Sequence, residues 1–200
     1  MNNIIDYLFQ DWQNNQDTSF KSRIVLSMFR LNKLIIDLPF CGQKISKIYR
    51  LFYQLIVEYI LGIELPWNTK IGSNIKLQHG HGLVVNCETI IGENCTLRHS
   101  TTIGNKKLLD GSISASPRIG NNVDIGSNVV IIGPIKVGDN VVVGAGAVVI
   151  KDIPQGAVVA GNPAKIIRIL NSTSTNLSTH TLESDLELTI NPTLNEYRTS

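Results

Sequence analysis

Two hundred residues are enough for one principal domain with an appendage and a real buried core. Charged residues make up 17% and the formal net charge is +2, too mild for a nucleic-acid binder with its clustered basic faces. The three cysteines, Cys41, Cys87 and Cys95, have no framework spacing, and the polar start MNNIIDYLFQDWQNNQ carries no secretory signal. A reducing, cytoplasmic setting with free thiols is the expectation.

Residues 1 to about 62 read as a helical segment. SFKSRIVLSMFRLNKLIIDL spaces Ile24, Met28, Leu31 and Ile35 three or four apart, an amphipathic pattern. GQKISKIYRLFYQLIVEYILG repeats it with Ile45, Ile48, Phe52, Leu55 and Tyr59, and Gly62 offers a C-terminal stop. The apolar stretch IYRLFYQLIVEYILGIEL contains Arg50, Glu58 and Glu64 and is no clean spanning segment. Lys44, Lys47 and Arg50 could meet acidic headgroups or form a solvated helix face, so membrane contact is at most peripheral.

From residue 63 to 170 a period takes over. Ile119, Ile125, Ile131, Val137, Val143 and Val149 recur every six residues, and glycine follows four of the six. The register continues upstream as Val85, Ile91, Leu97 and Ile103, and before that as Ile71, Leu77 and Leu83. A repeat of this kind dictates the whole fold. One inward aliphatic per six residues, followed by Gly or Asn, predicts a parallel β-helix of three hexapeptides per coil. Gly and Asn supply the positive φ of its turns. Residues 171–200, rich in Ser, Thr and Asn, read as a disordered tail, with LESDLELTI as a further strand or short helix.

Residues eighteen apart should stack one strand spacing of ~4.8 Å above each other. Two irregularities enter the count: a two-residue slip between Leu83 and Val85, and about ten extra residues looping out between Ile103 and Ile119. The protruding loop is placed at about 104–118. With those corrections one column reads His79, His99, Ser127, Ala145, a groove with polar chemistry at one end and small residues beyond.

The hexapeptides, IELPWNTKIG, IKLQHGHGLVVN, CTLRHSTTIGN and VVIIGPIKVGDNVVVGAGAVV, and the ending VVAGNPAKIIRIL resemble the left-handed β-helix acetyltransferases. They look like the serine acetyltransferase branch, closest to its shorter, colanic-acid-type members. The resemblance implies a mainly β fold: a left-handed parallel β-helix, behind a short α-helical segment. It also implies acetyl-CoA as acyl donor, bound along the groove between neighbouring subunits of a homotrimer, with no metal. Gly126, Ser127, Gly144 and Ala145 would supply backbone contacts to the donor, and Lys165 and Arg168 are candidates for its phosphates. His79, in QHGHG, matches the catalytic histidine, a base neutral near pH 7. Glu64 falls where the family carries the acidic partner of that histidine, here Glu in place of Asp. His99 is a second candidate, for orienting substrate or contacting the thioester. His81 should point to the other side and serve structure.

Serine acetyltransferases grip a zwitterion with an Asp beside the catalytic histidine and an Arg-His pair at the loop's end. Here those positions hold Gln78, Ala115 and Ser116. A site lined by Gln78, His99 and Ser116 suits a many-hydroxyl acceptor, a sugar of polysaccharide biosynthesis, with serine as the alternative. A γ-carbonic-anhydrase-like hydratase needs two histidines in an H-x4-H arrangement, which His79, His81 and His99 do not give. A non-catalytic β-helix scaffold remains the other class. Trimers could further pair through the helical segment.

Overall fold

A computed structural model describes residues 4–38 and 42–170. Cys41 and the tail 171–200, including LESDLELTI, lie outside the described residues.

Among the described residues, α1 (Ile4–Leu8), a 3-10 turn at Gln13–Asn15, α2 (Phe20–Ile36) and α3 (Gly42–Tyr53) precede the coil, and α3 continues as π-helical turns over Gln54–Ile60. Ser19 caps α2, its side chain accepting from Ser22 N. Gly62 ends the segment at φ +64°, a left-handed conformation open to glycine.

Both helices bury a different face from the one their apolar spacing predicts. In α2 the buried residues are Ser22, Val25, Leu26, Phe29, Arg30 and Asn32, while Ile24 is exposed. In α3 and its continuation the buried residues are Gly42, Ser46, Tyr53 and Val57. The predicted stripe is on the outside: Ile48 is 72% exposed and Tyr59 76%. Close packing decides this. A Cβ on Gly42 would sit 2.5 Å from Ile35 O, so α3 meets the end of α2 through its smallest residues. Tyr49 and Tyr53 then reach across, donating hydroxyls to Met28 O and Leu65 O, each at 2.8 Å.

The coil is a left-handed parallel β-helix with three faces. Face one stacks Lys70–Ile71, Ile90–Ile91, Arg118–Ile119 and Lys136–Val137. Face two stacks Lys76–Gln78, Thr96–Arg98, Asp124–Ile125, Val142–Val143 and Ala157–Ala160, and is closed by the antiparallel strand Lys165–Ile169. Face three stacks Val84–Val85, Thr102–Gly104, Val130–Ile132 and Val148–Val149. The six-residue aliphatics point inward throughout: Leu77, Leu97, Ile125, Val143 and Val159 are at most 1% exposed. Each hexapeptide also buries a second residue at the corner, such as Cys95, Thr101, Val123 and Val129, which the single-aliphatic reading missed. The corners turn on left-handed asparagines, Asn74, Asn94, Asn122 and Asn140, all near φ +56°.

Pairing locates both irregularities. Leu77 pairs with Leu97 and Ile71 with Ile91, twenty apart, but Val85 pairs with Ile103, eighteen apart. The two extra residues therefore lie in the turn between Leu77 and Val85, which holds His79 and His81. Ile91 to Ile119 and Ile103 to Ile131 each span twenty-eight, across the loop. That loop is a small hairpin, with Lys107 bridging Ile113 and Ser114 Oγ accepting from Lys106 N at 3.0 Å.

The helices are locked to the first coil by one buried ion pair. Arg30 Nε donates to Asp11 Oδ2 at 2.8 Å, and its Nη atoms reach Ile71 O and Gly72 O. Asp11 Oδ1 in turn accepts from Ile75 N at 2.8 Å. Asn15 bonds Ile75 O and accepts from Leu77 N beside it. No described helix is long and apolar enough to cross a membrane.

Candidate active site

The corner between faces two and three carries the histidines. The two-residue excess forces a tight turn: His79 takes φ +63°, Gly80 +45° and Gly82 +66°, and His81 N donates to His79 O at 2.5 Å. A left-handed histidine is uncommon, and here it turns the exposed His79 ring outward at the head of the turn. His81 goes elsewhere. Its ring lies where a Cβ on Gly62 would touch, 3.2 Å from Cε1, and its carbonyl accepts from Ser100 N. It packs the junction between helix and coil.

His99 stands in the next coil, its ring edge-to-face with His79 at a centroid distance of 5.9 Å. The His99 Nδ1 is buried and has no hydrogen-bond partner among the described residues. Above it Asn128 N donates to His99 O, and Gly146 N to Ser127 O, so His99, Ser127 and Ala145 follow one another up the corner.

Beside this column runs a second, on face two. Register places Gln78 on Arg98, continues through Gly126 and Gly144, then pairs Ala160 with Lys165. Its lower end is polar and cross-linked: Arg98 Nε donates to Gln78 Oε1 at 2.7 Å, and the same guanidinium pairs with Asp124 and donates to Ile125 O. Its middle is bare backbone, because Gly126 and Gly144 have no room for more. A Cβ on Gly126 would lie 2.5 Å from Ala145 N, and one on Gly144 2.9 Å from the Ala160 Cβ. Its upper end is exposed Lys165, with Arg168 on the same closing strand opposite Val158. Five strand steps of ~4.8 Å separate Gln78 from Lys165, a trough of ~24 Å.

Two expected residues stand apart from the histidines in the protomer. Glu64 opens face three beside Val84, exposed, and no hydrogen bond or ion pair joins it to His79 among the described residues. Ser116 lies at the corner between faces three and one, 8% exposed, its hydroxyl on Asn86 Oδ1 at 2.9 Å. Face three stands between it and His79. Sequence reasoning did not find the Gln78–Arg98–Asp124 cross-link. Its signal was the stacking arithmetic itself, applied one residue earlier than the histidine column. No group of three His, Cys, Asp or Glu able to hold a metal is gathered among the described residues.

A β-helix of hexapeptides with a histidine turn and a small-residue trough defines a class, and comparison with known proteins agrees. Residues 116–151 match the family described as bacterial transferase hexapeptide (six repeats). The chain belongs to the hexapeptide-repeat transferases. It is 39% identical over 114 residues to the putative colanic acid biosynthesis acetyltransferase WcaB of Escherichia coli K12, covering 57% of this chain and 68% of that one. It is 35% identical over 132 residues to serine acetyltransferase 2 of Arabidopsis thaliana, 66% of this chain and 40% of the plant enzyme. The fold is shared with a serine acetyltransferase solved in complex with CoA, at TM-score 0.67 and 23% identity over 82% of this chain and 69% of that one.

Proposed function

We propose that this protein is an acetyl-CoA-dependent O-acetyltransferase that moves acetyl directly onto a sugar hydroxyl during polysaccharide assembly. The observation that carries the reading is the paired column: two histidines in ring contact at the foot of a small-residue trough that ends at Lys165. A thin acyl-carrying arm fits where Gly126, Ser127, Gly144 and Ala145 leave backbone uncovered, and Lys165 and Arg168 lie at the end suited to its phosphates. The thioester then falls beside His79 and His99.

In this scheme the His79 imidazole takes the proton of the acceptor hydroxyl. The oxygen attacks the thioester carbonyl, the C–S bond breaks, and the CoA thiolate leaves and takes up the proton from the imidazolium. The products are an O-acetyl ester and CoA thiol, with no acyl-enzyme between. His99, its Nδ1 unpartnered, orients the acceptor or meets the thioester. The family resemblance assigns Glu64 as the acidic partner whose carboxylate would stabilise the imidazolium.

The acceptor reading rests on charge. Gln78 accepts from Arg98, whose guanidinium is already held by Asp124, and Ser116 is buried on Asn86. None of these positions offers a free charge to an ammonium or a carboxylate, and hydroxyl-rich acceptors need neither. The 35% identity to a serine acetyltransferase supports L-serine as the second acceptor. A trough on one corner is half a cleft, so a C3 homotrimer closes it with a neighbour's surface. The exposed row of α3 is where trimers would pair. A cytoplasmic setting, where acetyl-CoA is available as donor, is part of this reading.

Thiol release from acetyl-CoA decides between acceptors, run with L-serine and separately with a panel of sugars and capsular oligosaccharides. Turnover with a saccharide alone, lost in His79→Ala, is the expected result. Turnover with serine at ordinary enzyme rates would move the protein to cysteine biosynthesis.

A further inference from the structure

The trough carries a large side chain between its foot and its bare middle. From Gln78 the column passes through Arg98 to Gly126, one strand step of ~4.8 Å further on. An acyl arm lying along Gly144 and Gly126 therefore meets Arg98 before it reaches the histidines. The Arg98 side chain is 27% exposed, so a ligand in the trough can touch it. Arg98 precedes His99 in the chain, and the Gln78 it bonds precedes His79.

Its guanidinium has five N–H donors in one plane. Nε donates to Gln78 Oε1 at 2.7 Å, Nη1 to Asp124 Oδ1 and to Ile125 O, the latter at 3.0 Å, and Nη2 to Asp124 Oδ2 at 3.5 Å. The second hydrogen of Nη2 has no partner among the described residues. Because Nη1 and Nη2 face Asp124 together, planarity sets this last N–H parallel to Nε–H, on the edge that faces Gln78 and the foot of the trough. A part-exposed ion pair adds little to stability. Holding an arginine at three places, with one donor left towards the histidine end, prepares it for an oxygen that arrives there.

We infer that Arg98 is a catalytic residue of acetyl transfer, donating its free Nη2–H to the thioester carbonyl oxygen. The inference rests on the acetyl-transfer reading above. As the acceptor oxygen bonds the carbonyl carbon, the C=O π pair moves onto the carbonyl oxygen. It returns as the C–S bond breaks and the thiolate takes the proton held by His79. Arg98 loses no proton; it stabilises the oxyanion while that charge exists. Asp124 balances the guanidinium in the resting site, so the donor holds the neutral carbonyl weakly and the oxyanion strongly. That difference is what accelerates a reaction. Gln78 and Asp124 are then positioning residues for the guanidinium.

Thiol release from acetyl-CoA tests this, with the saccharide and L-serine panel and with water as the only acceptor, since hydrolysis of the same thioester passes through a like oxyanion. Removing one oxyanion donor costs roughly 10²–10³ in kcat. Arg98→Met should lower kcat by that much with every acceptor the native chain uses, while KM for acetyl-CoA, CoA binding by calorimetry and Tm stay near the native values. Arg98→Ala should regain at least tenfold in rate with added methylguanidinium and nothing with methylammonium, which a purely structural cross-link does not predict. An unimpaired Arg98→Met, a loss of rate matched by loss of CoA binding or by unfolding, or no recovery in Arg98→Ala would each overturn the assignment and leave acetyl transfer standing. Absence of thiol release from the native chain would overturn the acetyl-transfer reading and the assignment with it.

Discussion

His79 and His99, twenty residues apart in sequence, meet edge to face with ring centroids 5.9 Å apart because the coil carries one directly above the other. The contact ties the proposed base to a second imidazole whose buried Nδ1 has no hydrogen-bond partner among the described residues. It predicts an unequal pair of variants. Loss of a general base costs roughly 10²–10⁴ in rate, so His79→Ala should lower kcat by that much. His99→Gln should lower kcat less, with KM for acetyl-CoA little changed. Equal loss in both, or none in His79→Ala, would reassign the base; steady-state thiol release reads it.

The trough predicts a separation of binding from stability. Ala145 is exposed and its neighbours are small, so Ala145→Trp fills the path of the acyl arm without entering the core. KM for acetyl-CoA should rise at least tenfold with Tm unchanged. Gly126→Val instead drives a side chain into Ala145 N and Val143 O and should destabilise the fold by about 1–3 kcal/mol. Thermal melts beside the kinetics distinguish the two.

Arg30 and Asp11 are each 3% exposed and paired at 2.8 Å. Arg30→Leu leaves the Asp11 carboxylate buried without its cation, at a cost of about 3–5 kcal/mol. The double variant Arg30→Leu with Asp11→Asn should recover part of that loss, since no charge is stranded. Urea denaturation of both, read by far-ultraviolet circular dichroism, checks the sign.

Alkaline pH should act on the helical segment. Burial pushes the Tyr49 hydroxyl up to about 12, and burial, with the Glu58 and Tyr49 charges behind it, raises Tyr53 further. The unfolded chain loses these protons first, near pH 10, so it binds fewer protons than the folded chain above that pH. The stability they contribute is full below pH 10 and is lost as pH rises from 10 towards 12 and beyond. Tyrosinate absorbance should therefore appear together with loss of helical signal. Tyr49→Phe should flatten part of this pH dependence; an unchanged slope would sink the assignment.

The outer row of α3 and its π-helical continuation, with Ile48, Leu51 and Tyr59 at 72, 70 and 76% exposed, predicts association beyond the proposed trimer. Light scattering should find paired trimers for the native chain and single trimers for Leu51→Glu with Leu55→Glu. A single trimer in both would leave that row to another partner.

The sequence alone determined the coil. A six-residue period counts residues per turn, and parallel strands must stack at one spacing, so Leu77 over Leu97 and His79 near His99 followed from arithmetic. The same counting found the two-residue excess, though only pairing placed it in the QHGHG turn, where it turns His79 outward at φ +63°. Tertiary structure decided the rest. Hydrophobic spacing says which face of α2 or α3 is apolar but not which face another helix covers. Here Gly42 and Ser46 gave the closer approach, so the smaller residues went in and Ile48 and Tyr59 stayed out. Glu64, Ser116 and Arg98 carry the same lesson. Their side chains are long or loop-borne, and their partners, or their lack of one, depend on distances between coils that no count along the chain contains.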